Sequence, residues 1–225
     1  MDEDVLLSMV SQLFEGTWIT LLLLSQSTLY GLILAIPIAL ARISHVLWIW
    51  VPAYGYIFCL RGSPLLVQLF LIYYGLGQFE SVRSSVLWVV LYDAYWCAVI
   101  ALTLNTSGYI AEILRGAIQS VPQGTIDAGK ACGMGIFLLH LRIILPQACR
   151  IALPAYTNEI IFLMNGSALV FTITVVDLMG AVTMIRAQTF LIYQPLLMAG
   201  MIYLMITVVI TLGMSWLERV LYPER

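Results

Sequence analysis

The sequence predicts an all-α, polytopic membrane protein with about five helical spans. Three observations carry that prediction: the composition, five apolar stretches of spanning length, and a one-sided distribution of Lys and Arg. Of the 225 residues, 62% are hydrophobic and only 10% charged, and the mean hydropathy is +0.99. Soluble domains are about 45–50% apolar and about a quarter charged, so the chain as a whole reads as one transmembrane domain, 1–225. The formal net charge of −2 offers no basic surface for nucleic acid. Cys59, Cys97, Cys132 and Cys149 form no C-x-x-C pair and read as small hydrophobes rather than a metal or disulfide framework. His45 and His140 are too isolated to suggest a zinc site.

A helix needs about 20 mainly apolar residues to cross a bilayer. The stretches that qualify are 17–41, 54–76, 86–110, 151–172 and 195–217. Ahead of the first, "MDEDVLLSMVSQLFEG" is acidic and amphipathic, with no basic n-region or A-x-A site, so it does not read as a cleaved signal peptide. In the second span, Arg61-Gly62-Ser63-Pro64 interrupts the helix, because Pro64 lacks an N–H and disfavours helix at Ser63. Arg61 is expected to cap carbonyls there or to meet a lipid phosphate. Beyond the third span, Glu112 and Arg115 are spaced i, i+3 for a local ion pair. Tyr203 and Thr207, one turn apart in the fifth, read as packing.

With the N-terminus outside, Arg42, Arg61, Arg115, Lys130, Arg142, Arg150, Arg219 and Arg225 all fall on one side, and only Arg83 and Arg186 on the other. Lys and Arg accumulate on the cytoplasmic side. The expected topology therefore has a periplasmic N-terminus carrying Asp2, Glu3 and Asp4, and a cytoplasmic C-terminus. The largest cytoplasmic segment is then the one between spans three and four, about 112–146.

That segment contains Gly124-x-x-x-x-Gly129-Lys130, most of a phosphate-binding P-loop. Ala131 stands where the motif needs the Mg²⁺-binding hydroxyl, and "RGAIQSVPQ" precedes it instead of an apolar strand. The chain is therefore not expected to hydrolyse ATP or to be an enzyme. A second pattern overlaps the first: Asp127-Ala128-Gly129, three residues, Gly133, nine residues, then Ile143-x-Leu145-Pro146. Pro122 and Thr125 suit the start of a short helix, with Asp127 near its positive end. Small residues at 128, 129, 131 and 132 would let another protein approach the backbone, and Gly133 would end the helix.

In spacing, this pattern resembles the EAA loop of ABC-importer permeases, with Asp127 in place of the Glu and Gly129 in place of the second Ala. The resemblance extends through "RGSPLLVQLFLIYYGL", "ALTLNTSGYIAEILRGAIQSVPQG" and "LPQACRIALPAYTNEIIFLMNGSALVFTITVVDLMG" to most of 17–217. Those stretches are similar to permeases of polar amino-acid importers, chiefly those for histidine, lysine, arginine and ornithine and their opine-importing relatives. The resemblance implies an inner-membrane permease subunit with a MetI-like helical core. It implies a homologous second permease, two separate ATP-binding subunits that use ATP and Mg, and a periplasmic substrate-binding protein. No cofactor is expected on this chain. The same machinery with glutamine or another polar cargo is the alternative. A stand-alone secondary transporter would need a coupling-ion site and usually an internal repeat, and neither is evident.

Ionisable groups within spans are costly and tend to be functional or paired. Glu159 lies nine positions beyond Arg150, roughly 13 Å along a helix, too far for a direct pair. Its carboxylate is the main candidate to hold a cationic cargo through charge-assisted hydrogen bonds. Asn158, Asn165 and Ser167 in the same span, and Asn105, Thr106 and Ser107 in the third, supply amides and hydroxyls for a ligand or for bonds between helices. Asp177, after the fourth span, is placed outside, facing a binding protein.

Overall fold

The computed structural model describes residues 3–221, with side chains from residue 7 to 220. Asp2 and Arg225, used above for orientation, lie outside the described residues. Among those residues the chain is helical and forms no strand. Among the described residues four helices are long and apolar enough to cross a membrane, and a bent helix pair is a fifth candidate.

The first helix, α1 (Glu3–Ile43), is much longer than the predicted 17–41. Its amphipathic start continues the span because it has something to pack against. Met9 and Leu13 are buried with Leu178, Ala181, Val182 and Ile185. Further along, Gly31, Ala35 and Ala39 form a stripe of small residues, which lets a neighbouring helix approach closely. Ala35 and Ala39 are buried against Ile110 and Ala111, and a Cβ at Gly31 would lie 2.4 Å from Thr106 Cγ2.

The second crossing is α2 (Leu47–Gly62) followed by α3 (Leu65–Phe70), the latter extended by a π turn and a 3-10 turn to Gln78. The two are bent by 105°, so 54–76 is a broken helix and not a straight span. Pro64 has no N–H to give to the Leu60 carbonyl, four residues back. Gln68 Nε2 replaces it, donating to Leu60 O at 2.8 Å and to Ser63 O at 3.1 Å. Asn105 Nδ2 adds a longer bond to the same Leu60 carbonyl at 3.4 Å. The carbonyl cap at the break is thus Gln68 with Asn105, and not the expected Arg61.

Two short helices, α4 (Glu80–Arg83) and α5 (Trp88–Leu91), precede α6 (Ala94–Gln119). The third span therefore begins at 94 and not at 86. Asp93 sets that boundary by capping: its Oδ1 accepts from Tyr95 N at 2.9 Å. The predicted ion pair of Glu112 and Arg115 forms on α6.

After α7 (Gln123–Ala131) the chain re-enters a continuous helix over Ile136–Ser167. It comprises α8 (Ile136–Leu139), a π turn (His140–Ile144) and α9 (Leu145–Ser167). The π turn absorbs Pro146, which cannot bond back to residue 142. The fourth span thus starts before 151 and ends at Ser167, ahead of the predicted 172, and most of 112–146 is helix rather than loop.

Asp177 is fully buried, and its Oδ1 caps α10 (Leu178–Thr189) by accepting from Gly180 N at 2.9 Å. This corrects the expectation that it faces outward. Burial pushes its carboxyl up to about 6. The last helix, α11 (Tyr193–Leu221), spans close to the predicted 195–217. Tyr203 on α11 packs among the core residues, as predicted. The main core joins α1, α3, α6 and α9 through Leu23, Leu69, Leu102 and Met164.

Candidate functional site

Along α6, residues 105 and 109 are one turn apart and share a face. Facing them across a cavity of about 550 Å³ are Asn158, Glu159 and Phe162 of α9, with Leu65 at the start of α3 closing one end. The bend at Pro64 delivers Leu65 to this place, and a Cβ at Gly166 would lie 2.8 Å from Leu65 Cδ2. Small-molecule sites are commonly this size, mostly apolar with a few placed polar groups.

Glu159 is the charged group of this cavity. Only 7% of its surface is exposed, and its Oε1 accepts a 2.8 Å hydrogen bond from the Thr106 hydroxyl. Among the described residues no Lys or Arg lies within ion-pair distance, and Oε2 accepts no hydrogen bond. The carboxylate is therefore oriented by one hydroxyl and left with acceptor capacity for a cation.

The other sequence candidates divide. Asn105 lines the cavity but spends its amide N–H groups on Leu60 O and on Gln68 Oε1 at 3.2 Å. Asn158 lines the cavity without a hydrogen bond to the described residues, and its side chain is exposed. Asn165, one face-repeat further along α9, is exposed but outside the cavity lining. Ser167 is fully buried, its hydroxyl donating to Met164 O at 2.7 Å. Ser107 is likewise consumed, 2.6 Å from the Tyr56 hydroxyl. The fold thus brings Asn105, Asn158 and Glu159 together and leaves Asn165 and Ser167 elsewhere.

Two residues of the site, Tyr109 and Gln68, escape a reading of motifs. Tyr109 lines this cavity and also a second one of about 330 Å³, which contains Arg42, Arg61 and Glu112. Gln68 holds the bend, and Thr106 orients Glu159. A signal for Gln68 existed: Pro64 deprives Leu60 of its donor, so a nearby amide is required.

At the other end of α6 the chain folds into a helical hairpin. Pro122 occupies the N-cap of α7, and no side chain caps the helix, so Thr125 does not play the capping part expected of it. Asp127 is exposed, accepting from Gln123 Nε2 at 3.1 Å and facing Lys130 Nζ at 3.5 Å. Gly133 ends the helix with φ +76°. The bonds Gly133 N to Lys130 O (2.9 Å) and Met134 N to Gly129 O (3.2 Å) form the paired closure of a left-handed cap. Gly129, however, faces inward. A Cβ there would lie 2.6 Å from both Leu139 Cδ1 and Ile143 Cδ1, so its smallness serves the hairpin and not an approaching partner. Ala128 remains exposed on the outer side, with Ala131 and Cys132. Ile143 faces this packing, while Leu145 and Pro146 are exposed at the start of α9.

Residues 27–221 match the family model of the binding-protein-dependent transport system inner membrane component. The chain is 45% identical to the octopine transport system permease protein OccM of Rhizobium radiobacter, over 95% of this chain and 87% of that one. It is 41% identical to the histidine/lysine/arginine/ornithine transport system permease protein HisM of Salmonella typhimurium, over 88% and 84%. A crystal structure of an amino acid ABC transporter with histidines superposes with a TM-score of 0.86 at 32% identity, covering 97% of this chain and 98% of that one.

Proposed function

The chain belongs to the family of binding-protein-dependent transport system inner membrane components, and from that premise we propose what it carries and where. It is a multi-pass permease component of an ABC importer, and the ATPase is a separate subunit. The cargo is a basic amino acid or an opine conjugate, whose cationic end is held by Glu159 in the cavity between α3, α6 and α9.

The observation that carries this reading is the state of Glu159: a carboxylate deep in a span, hydrogen-bonded to Thr106 and open to a cavity. A buried anion without a countercharge is costly, and a guanidinium, ammonium or imidazolium in the cavity would supply one. Asn158, with its amide free, adds a polar contact. The names of the relatives, an octopine permease and a permease for histidine, lysine, arginine and ornithine, support the same cargo class.

The rest of the assembly follows. The excess of Arg and Lys at one end of the bundle supports a periplasmic N-terminus and a cytoplasmic C-terminus. The α7 hairpin is the part that docks on the ATPase, with Asp127 and Ala128 presented outward. Gly129, Gly133 and Ile143 shape it from within, and Leu145 and Pro146 lead into α9. A homologous second permease covers the exposed face of α9, where Asn158, Phe162 and Asn165 recur at helical spacing. Closing that face would complete the pathway.

The test is an uptake-competition panel in cells carrying the complete importer, for the native chain and Glu159→Gln. Labelled arginine is challenged with histidine, lysine, octopine, nopaline, glutamine and glutamate. Loss of a charge-assisted hydrogen bond should lower arginine uptake about 10- to 100-fold, while membrane insertion stays normal. If glutamine competes best, or Glu159→Gln transports normally, the cationic reading of Glu159 is wrong.

A further inference from the structure

Arg61 is a cation at the bend between α2 and α3 with an aromatic neighbour. It lies in the last turn of α2 beside the Pro64 break, with its side chain exposed. Among the described residues it forms no ion pair. Its guanidinium lies over the ring of Tyr109, with 5.1 Å from Cζ to the ring centre. Such stacking orients a cation and leaves its N–H edge available.

Its surroundings are themselves charged. Arg61 shares the cavity of about 330 Å³ with Arg42 and Glu112. Glu112 is committed to Arg115, and Arg42 stacks on Trp50 and Tyr54. The cavity therefore has surplus positive charge. Tyr109 forms a wall of this cavity and of the one containing Glu159. Among the described residues no ion pair joins Arg61 to Glu159. Two opposite charges, neither in an ion pair among the described residues and each in a cavity that Tyr109 lines, are complementary to a molecule carrying both signs.

We propose that Arg61 reads the carboxylate of the transported molecule while Glu159 holds its cationic end, with Tyr109 fixing the guanidinium between the two cavities. This rests on the cationic cargo assigned to Glu159. It narrows that cargo to compounds with an ionised carboxylate: a zwitterionic amino acid or conjugate fits, and a simple amine does not. A planar, forked guanidinium suits a carboxylate better than an ammonium would.

The experiment is equilibrium binding of labelled L-arginine to the complete importer in lipid nanodiscs, with unlabelled L-argininamide as the comparison. The amide keeps both cationic groups and replaces the carboxylate by a neutral group. The native importer should bind argininamide about 10- to 100-fold more weakly than arginine. In Arg61→Gln, arginine should fall to the level of argininamide while argininamide is unchanged. Arg61→Lys, a milder change, should weaken arginine several-fold and leave argininamide alone. Equal binding of the two ligands by the native importer would overturn the proposal. So would equal losses of both ligands, or no loss, in the two Arg61 variants. Glu159→Gln separates the two readings, because it should weaken both ligands alike. If it weakens neither, the Glu159 reading fails, while the ratio between the ligands still reports on Arg61.

Discussion

The α7 hairpin follows the C-terminal end of α6 and the Glu159 cavity flanks its middle, and they are built by different means. In the hairpin, Gly129 meets Leu139 and Ile143, and Gly133 closes a turn begun three residues earlier. Every partner lies within fifteen residues of chain. In the cavity, Thr106 reaches Glu159 across 53 residues and Asn105 reaches Gln68 across 37. Local construction writes itself into the sequence as a fixed spacing. Long-range construction leaves only isolated polar residues in apolar helices, and their partners depend on how those helices pack.

The largest expected effect breaks the hairpin alone. Gly129→Leu places a side chain where a Cβ already has 2.6 Å contacts, an overpacking that costs about 1–3 kcal/mol. Uptake should be lost while purified importer still binds labelled arginine. Normal uptake by this variant would show that the hairpin's internal packing is dispensable for coupling.

Gln68→Leu breaks the other member of the comparison. It removes the 2.8 Å donor to the part-buried Leu60 O, and a carbonyl left wholly unsatisfied would cost about 1–3 kcal/mol. Asn105 remains as a longer partner, so the low end of that range is expected. Arginine binding should weaken about three- to tenfold, with ATPase association in a pull-down unchanged. Equal loss of both would merge the two regions into one cooperative unit.

The smallest effect comes from a residue in neither region. The carboxyl of Asp177 is raised from an ordinary 3.8 to about 6 by burial. The folded state thus holds its proton more tightly than the unfolded chain does. The associated stability is fully present below pH 3.8 and is lost as pH rises through about 6. The thermal midpoint of the native chain should therefore increase modestly between pH 7 and pH 5. Asp177→Asn keeps a side chain fit for capping and should flatten that dependence. A slope unchanged by the substitution would place its origin in another group.

The span predictions fail and succeed for the same reason as the two regions differ. Apolar content located the four helices long and apolar enough to cross a membrane and the bent pair between the first two of them, since transfer into lipid depends on composition over about 20 residues. It misplaced their ends at 17, 86, 151 and 172, because those are set by particular contacts. Met9 and Leu13 extend α1 by packing on α10. Asp93 starts α6 by capping it, and a π turn carries the fourth span back to Ile136 through Pro146. The break at Pro64 was legible because a missing N–H acts on its own neighbours. That Asn105 joins Gln68 in repairing it was not, since Asn105 comes from another helix, α6.

By itself, then, the sequence determined that the chain crosses a membrane about five times, and that a hairpin with a glycine stop follows the third span. It also placed an acidic residue deep in the fourth. Composition, chirality and the absent proline N–H act locally, so they need no knowledge of the fold. Only the tertiary structure decided that Glu159 rests on Thr106 and opens to a cavity, that Ser167 does not, and that Gly129 faces inward. It alone set Arg61 against Tyr109. Those outcomes depend on which helix faces meet, and meeting is settled by the close approach of small residues such as Gly31 and Gly166 to partners far along the chain.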